Sequence, residues 1–371
     1  MLVALPQAIA YGVVIYAALG PEHSAKGALA GIVGAVLIGV TAPLFGGAPR
    51  LVSAPCAPAA AVMAALAGTL AAAGSPVPSP AHIPLLLTLT ALFCGLLQLA
   101  YGAAGGGALI KFIPYPVVTG YLSGVAVLIF LGQIPKLLGL PAGAHLQEAL
   151  SPAFWNWAAL SVGLATMAVM IFSPKDLPVP APILGLAGGL AAYWALAWAR
   201  PELRVLEGNA LVIGPIGEGA AAALSGLFSR WSSLRELDLG SLKAILVPAM
   251  TLSVLLSIDT LKTCVVVDAL TRSRHDSNRE LRGQGLANLL SALAGGAPGA
   301  GTMGATLVNI HTGGRTRLSG VLAGVFALAA FLLLSRWMAW VPLPALAGIL
   351  IVVAWGMYDR KSFRLLRKRS T

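Results

Sequence analysis

Charge is what this sequence has least of. Asp, Glu, Lys and Arg make up only 10% of its 371 residues, where soluble domains need about a quarter to cover a surface that faces water. A chain this poor in charge has to present its outer face to lipid. Cysteine is nearly absent as well. Cys56, Cys94 and Cys264 lie singly inside apolar stretches, with no CxxC or Cys/His spacing, which argues against a disulfide framework or a zinc site. No HExxH occurs and no nucleophile–base pairing is visible, which sets an intramembrane enzyme aside; no Asn-x-Ser/Thr acceptor occurs either. The first apolar run does not read as a signal peptide, since no basic residues precede it and Pro6-Gln7 interrupts it.

What is present is apolar length. A spanning helix needs roughly 20 mostly apolar residues, and such runs tile the chain. The expected spans are 2–20, 27–46, 54–74, 83–104, 116–134, 156–173, 181–199, 243–266, 283–296, 302–311, 318–340 and 342–357, the tenth too short to cross alone. The long polar connection 200–242 reads as an exposed loop. The expectation is a single transmembrane domain over 1–371.

A formal net charge of +11 would suggest nucleic acid in a soluble protein; here it reads as topology. Connections after even-numbered spans and the tail carry 15 of the 24 basic residues, including Arg272, Arg274, Arg279 and Arg282 and the cluster in 360–369. The other side carries 3 outside the long loop, which counts little under the positive-inside rule. Both termini are expected in the cytoplasm.

Two segments interrupt the smooth spans: Ser53-Ala54-Pro55-Cys56-Ala57-Pro58, and 295–302, which reads Gly-Gly-Ala-Pro-Gly-Ala-Gly-Thr. Pro and Gly free backbone groups that lipid cannot satisfy, so such backbone must lie within protein. A matched pair of these breaks in two halves points to a transporter's central site. The spacing agrees: Gln7 precedes Ser53 by 46 residues, and Asp259 precedes Gly301 by 42. The plainer alternative is a pair of ordinary helix kinks. Gly299-x-Gly301-x-x-Gly304 fits a dinucleotide fingerprint only formally, because no strand–helix unit surrounds it. The same glycines suit unwound backbone before a half-helix, whose N-terminus would offer partial positive charge to an anion. Ala300, Gly301 and Thr302 would line that point, Thr302 adding a hydroxyl.

Side chains near the breaks carry the rest. Gln7 and Tyr11 are spaced i,i+4 and share a face; they could donate to an oxyanion, or simply bond between helices. The eighth span contains Ser257-Ile258-Asp259-Thr260-Leu261-Lys262-Thr263. An ionisable residue at the bilayer centre costs about 2.5–3.5 kcal/mol on insertion scales, so it must face inward. Asp259, Lys262 and Thr263 occupy one arc of the helix. Asp259, Thr263 and the carbonyl near Gly301 could ligate sodium. Alternatively Lys262 could reach Asp259 and supply the positive charge itself, contacting the substrate, or the pair could be structural.

In order along the chain, several stretches resemble the SulP/SLC26 family of anion carriers. They are Leu5-Pro6-Gln7-Ala8-Ile9-Ala10-Tyr11; Phe112 to Tyr121 (Phe-Ile-Pro-Tyr-Pro-Val-Val-Thr-Gly-Tyr); Asn278-Arg279-Glu280-Leu281-Arg282-Gly283-Gln284-Gly285-Leu286-Ala287-Asn288 with the following Gly/Pro run; and Asn309 with Gly314-Arg315-Thr316. The resemblance implies an all-α integral membrane fold of seven-plus-seven inverted repeats with broken third and tenth helices. Here it is truncated to about twelve spans, without spans 13 and 14 or the STAS domain. It also implies a homodimer. Relatives often place a hydroxyl where Cys56 stands, and many carry an arginine where Ala305 and Thr306 stand. Asp259-x-x-x-Thr263 is similar to the sodium-coupled bicarbonate carriers. The expectation is a bacterial-type inner-membrane secondary carrier for a small inorganic oxyanion, sulfate or bicarbonate, with sodium symport as one candidate coupling. Its moving core would be spans 1–4 and 8–11. Alternatives are a nucleobase carrier of the same fold and a non-transporting membrane fragment.

Overall fold

Lipid offers a main chain no hydrogen-bond partner, so a chain this apolar must satisfy its backbone internally. The computed structural model describes residues 4–72, 79, 82–112, 115–140, 148–174, 179–206, 208–216, 230–236 and 239–357. Among these, twelve α-helices of nine residues or more follow one another. They are α1 (Ala4–Tyr16), α2 (Ser24–Phe45), α3 (Ala57–Ala71), α4 (Ile83–Ala103), α5 (Tyr115–Leu137), α6 (Trp157–Phe172), α7 (Ala181–Ala199), α8 (Leu239–Thr271), α9 (Ser277–Leu293), α10 (Met303–His311), α11 (Arg317–Met338) and α12 (Leu343–Met357). Each overlaps one expected span. Six of them, α2, α4, α5, α7, α8 and α11, are long and apolar enough to cross a membrane. Large apolar side chains stand exposed on them, among them Val247 on α8 and Leu332 and Leu333 on α11, as the shortage of charge requires. Lys175, the basic tail 360–369, Ile113 and Pro114 lie outside the described residues.

Within the single membrane domain expected over 1–371, the chain forms two compact units. One comprises 1–110 and 206–340 and so holds α1–α4 and α8–α11; the other comprises 111–205 and 341–371 and holds α5–α7 and α12. In the second unit α6 packs on α7, and α12 packs on α5 and α6. In the first, α1 packs on α2 and α3, α2 on α9 and α11, and α4 on α8 and α9. The α4–α9 crossing is close because glycines face each other there. A Cβ added at Gly285 would stand 2.7 Å from Leu99 N and 2.8 Å from Gly95 O, the approach that small residues permit between membrane helices.

The largest departure from the expected spans is α9, which starts at Ser277 rather than at 283. Asp276 causes the early start. Its carboxylate accepts from Asn278 N at 3.1 Å and Arg279 N at 3.0 Å, an N-cap that satisfies two orphan donors. As a result Arg279 and Arg282, expected in a connection, belong to the helix. Its polar residues do not meet lipid either. Glu280, Gln284, Asn288 and Ser291 are all buried inside the first unit, on one side of the helix because they recur at i, i+4, i+8 and i+11.

Between the halves, two short extended segments replace helix. β1 (Ser53–Pro55) leads into α3, and β2 (Gly299–Gly301) leads into α10. They pair antiparallel, with Ser53 opposite Gly301, Ala54 opposite Ala300 and Pro55 opposite Gly299. This is why both breaks carry Pro and Gly: neither continues a helix comfortably. Glycine is required at 299, where an added Cβ would run into Ala54 O.

Candidate functional site

The site is built outward from β2, whose main chain needs more partners than β1 can provide. Thr260 and Thr263, one turn apart on α8, take Gly301 between them. Gly301 N donates to Thr260 Oγ1 at 3.0 Å, and Thr263 Oγ1 donates to Gly301 O at 3.0 Å. Thr263 Oγ1 also lies 2.9 Å from Asp259 O. Asn288 does the same for Gly299: Gly299 N donates to Asn288 Oδ1 at 2.8 Å, and Asn288 Nδ2 donates to Gly299 O at 3.0 Å. Ser291 Oγ donates to Ala297 O at 2.9 Å, while Ala297 N donates to Ala30 O at 2.8 Å. On the other break, Thr306 Oγ1 accepts from Val52 N at 3.0 Å, and Gln284 Nε2 donates to Ser53 Oγ at 2.5 Å. Glu280 Oε2 accepts from Gly47 N at 2.7 Å and Ala48 N at 2.9 Å. Side chains thus stand in for the water that non-helical backbone would otherwise need.

Around this frame lie the residues singled out by sequence. Lys262 Nζ is 2.6 Å from Asp259 Oδ1, and the two side chains retain 25% and 12% of their exposure. The Tyr11 side chain on α1 is within electrostatic range of Cys56 and Asp259, and Cys56 is within range of Asp259 and Lys262. Tyr11, Cys56, Asp259 and Lys262 therefore come together from α1, α3 and α8. Tyr11 is buried, and its hydroxyl makes no hydrogen bond among the described residues. Gln7 is half-buried on the same helix, with no bond to these residues.

The two helix starts differ from the expectation in detail. Cys56 and Thr302 occupy the N-cap positions of α3 and α10; the Cys56 thiol faces the Ala59 N–H of its first turn, whereas the Thr302 side chain closes no hydrogen bond onto its own. Thr302 N and Oγ1 both donate to Val52 O, at 2.9 and 3.1 Å, so its hydroxyl hydrogen is engaged with main chain. Ala300 is fully buried within the strand pair. Gly301 has its N–H and C=O taken by the two threonines. No cation stands at Ala305 or Thr306, both of them buried. Lys262 is the cation paired with Asp259 among the described residues.

Sequence reasoning missed the scaffold: Thr260, Glu280, Gln284, Asn288 and Ser291. The signal was available in α9, where Glu280, Gln284 and Asn288 repeat every four residues from just before the expected span 283–296 into it. Polar side chains at helical spacing inside a membrane bundle face protein. Asn288 also bonds to Gln98 Oε1 at 2.7 Å, and Gln98 Nε2 lies 3.4 Å from Ser257 Oγ, linking α9 through α4 to α8.

Comparison with known proteins decides the family. The family model described as the sulfate permease family matches residues 1–371. This chain belongs to the sulfate permease family. The bicarbonate transporter BicA of Picosynechococcus is 34% identical over 368 residues, covering 96% of this chain and 60% of that protein. A putative sulfate transporter of Bacillus subtilis, YvdB, is 29% identical over 304 residues, covering 76% of this chain and 55% of that protein. The chain spans about 60% of the length of the bicarbonate relative. The solved transmembrane domain of a cyanobacterial BicA superposes with a TM-score of 0.78 at 30% identity, covering 98% of this chain and 91% of that domain. The sulfate permease fold, all-helical with broken third and tenth helices, is therefore the fold of this chain, and the chain is a multi-pass membrane protein.

Proposed function

We propose that this sulfate permease chain carries out secondary active transport of a small inorganic oxyanion, with bicarbonate or sulfate as substrate. One observation supports this most directly. Two helix N-termini, those of α3 and α10, start from the two ends of the short antiparallel β1–β2 pair, with Lys262, Tyr11 and Cys56 nearby. Helix N-termini favour anions, and a nearby ammonium and phenol add donors. The relatives named as bicarbonate and sulfate transporters agree with that chemistry.

Movement of the unit holding α1–α4 and α8–α11, by elevator or rocking motion, would carry the site across the bilayer. Both termini would face the cytoplasm, and a second copy of the chain would be the partner. Sodium is the competing cation. Thr263 Oγ1 lies beside the main-chain oxygens of Asp259 and Gly301, while the Asp259 carboxylate holds Lys262 at 2.6 Å, which favours the lysine over sodium as its cation.

The test is uptake of labelled bicarbonate and sulfate by the purified chain in liposomes. Saturable uptake of one anion, with competition by the other, supports the reading. Inhibition by uracil rather than by anions would assign a nucleobase carrier. The absence of flux for every solute would leave a membrane component that does not transport.

A further inference from the structure

We infer that Lys262 is a built-in cation standing where a coupling sodium would otherwise bind, so that this chain moves its anion without sodium. The inference rests on the anion-transport reading, and it begins with Asp259. A carboxylate inside a membrane bundle is costly unless a positive group or several hydrogen-bond donors compensate it. Among the described residues that partner is Lys262, three residues along α8, with Nζ 2.6 Å from Oδ1. The geometry is that of a charge-assisted hydrogen bond. A lysine at the end of a span could snorkel toward the interface instead. This one keeps only 25% of its side-chain exposure and points at the carboxylate.

Thr263 Oγ1 is engaged with main chain, its hydrogen directed to the carbonyls of Asp259 and Gly301 at 2.9 and 3.0 Å, so among these three residues the Asp259 carboxylate alone offers a cation a full negative charge. Sodium and the Lys262 ammonium would also repel each other, as like charges a few ångströms apart do where water screens them poorly. The carboxylate therefore holds one cation or the other.

The charge arithmetic explains why the exchange would work. A carboxylate with sodium is neutral before the anion arrives, and so is a carboxylate with lysine. No cation stands at positions 305 and 306 of α10, where Ala305 and Thr306 are buried. Lys262 thus serves both as counter-ion to Asp259 and as the positive charge nearest the incoming anion. The difference is that lysine cannot dissociate, so no sodium gradient is drawn upon.

Two measurements on the purified full chain test this. The first is the thermal unfolding midpoint in sodium chloride against equimolar N-methylglucamine chloride. Wild type should show no sodium-dependent shift, whereas Lys262→Leu, or Lys262→Met should the leucine variant fold poorly, should be raised by sodium in a saturable way. The second is anion uptake into liposomes with and without sodium. Wild-type flux should stay within about twofold, while the Lys262→Leu flux should fall about tenfold without sodium and recover with it, a change equivalent to about 1.4 kcal/mol. A saturable sodium shift in wild type, or loss of wild-type flux when sodium is replaced, overturns the inference. If wild type takes up no anion under either condition, the transport reading fails, and the midpoints still decide whether Lys262 excludes sodium.

Discussion

Asn288 pairs with both main-chain groups of Gly299, accepting from its N–H at 2.8 Å and donating to its C=O at 3.0 Å. One amide side chain thus does for β2 what a third strand would do. The pairing is buried, so neither water nor lipid can replace it. Asn288→Leu should lower the thermal midpoint by several degrees, because each orphaned buried group costs about 1–3 kcal/mol. Asn288→Gln, which keeps the amide but misplaces it, should recover little. Midpoints measured in detergent that match wild type in both variants would show that the pairing contributes nothing.

Much of this arrangement was legible in advance, and the part that was not has a physical reason. Spans were visible because apolar length is set by bilayer thickness. The breaks at 53–58 and 295–302 were visible because Pro and Gly free backbone groups wherever they stand. Asp259 and Lys262 stood out because charge in a span is costly. The polar stripe of α9 was hidden by a different rule. Its mean apolarity is too low for a lipid-facing helix, and burial inside the first unit shows what it serves: Glu280 and Asn288 bond to other segments' backbone, and Gln284 to Ser53 Oγ. Thr302 was read as a substrate donor, whereas its hydroxyl bonds to Val52 O. That contact spans 250 residues of sequence and leaves no local trace.

The α4–α9 crossing should be intolerant of size. With 2.7 Å between an added Cβ at Gly285 and Leu99 N, even Gly285→Ala has to push main chain apart. Overpacking costs about 1–3 kcal/mol, and a valine there should exceed that. The expected outcome is a graded loss of monodisperse protein from glycine through alanine to valine. Equal yields and midpoints across the series would place the two helices farther apart than described.

Thr263 joins α8 to β2 through Gly301 O. Thr263→Val keeps shape and burial while removing the hydroxyl, so it strands a buried carbonyl. Uptake should drop about tenfold if about 1.4 kcal/mol of positioning is lost, with Thr263→Ser recovering most of it. Uptake by the valine variant equal to wild type would show that this bond does not support the site.

Orientation is open to a chemical test because the native cysteines are buried. Arg274 is exposed in the connection between α8 and α9, and Phe154 is exposed between α5 and α6. The positive-inside rule predicts the first connection in the cytoplasm and the second outside. In intact cells, Phe154→Cys should react quickly with an impermeant thiol reagent, and Arg274→Cys only after the membrane is opened. The reverse pattern would invert the topology.

Cys56 is the residue at which a single atom should change affinity. It occupies the N-cap position of α3 with its thiol facing the Ala59 N–H, and it lies within electrostatic range of both Asp259 and Lys262. A thiol is a weak donor. A serine hydroxyl at the same place can accept from the first-turn N–H groups, as N-cap serines do, and still donate its own hydrogen toward an anion. Hydrogen bonds to charged groups are worth about 1.5–3 kcal/mol, although part of that is spent on removing the hydroxyl from competing partners. Cys56→Ser should therefore lower the half-saturating anion concentration by about tenfold, the equivalent of about 1.4 kcal/mol. Cys56→Ala, which removes a donor already weak, should leave it close to wild type. Half-saturation read from initial uptake rates separates the two variants. Equal values for serine and alanine would mean that the anion does not approach the start of α3.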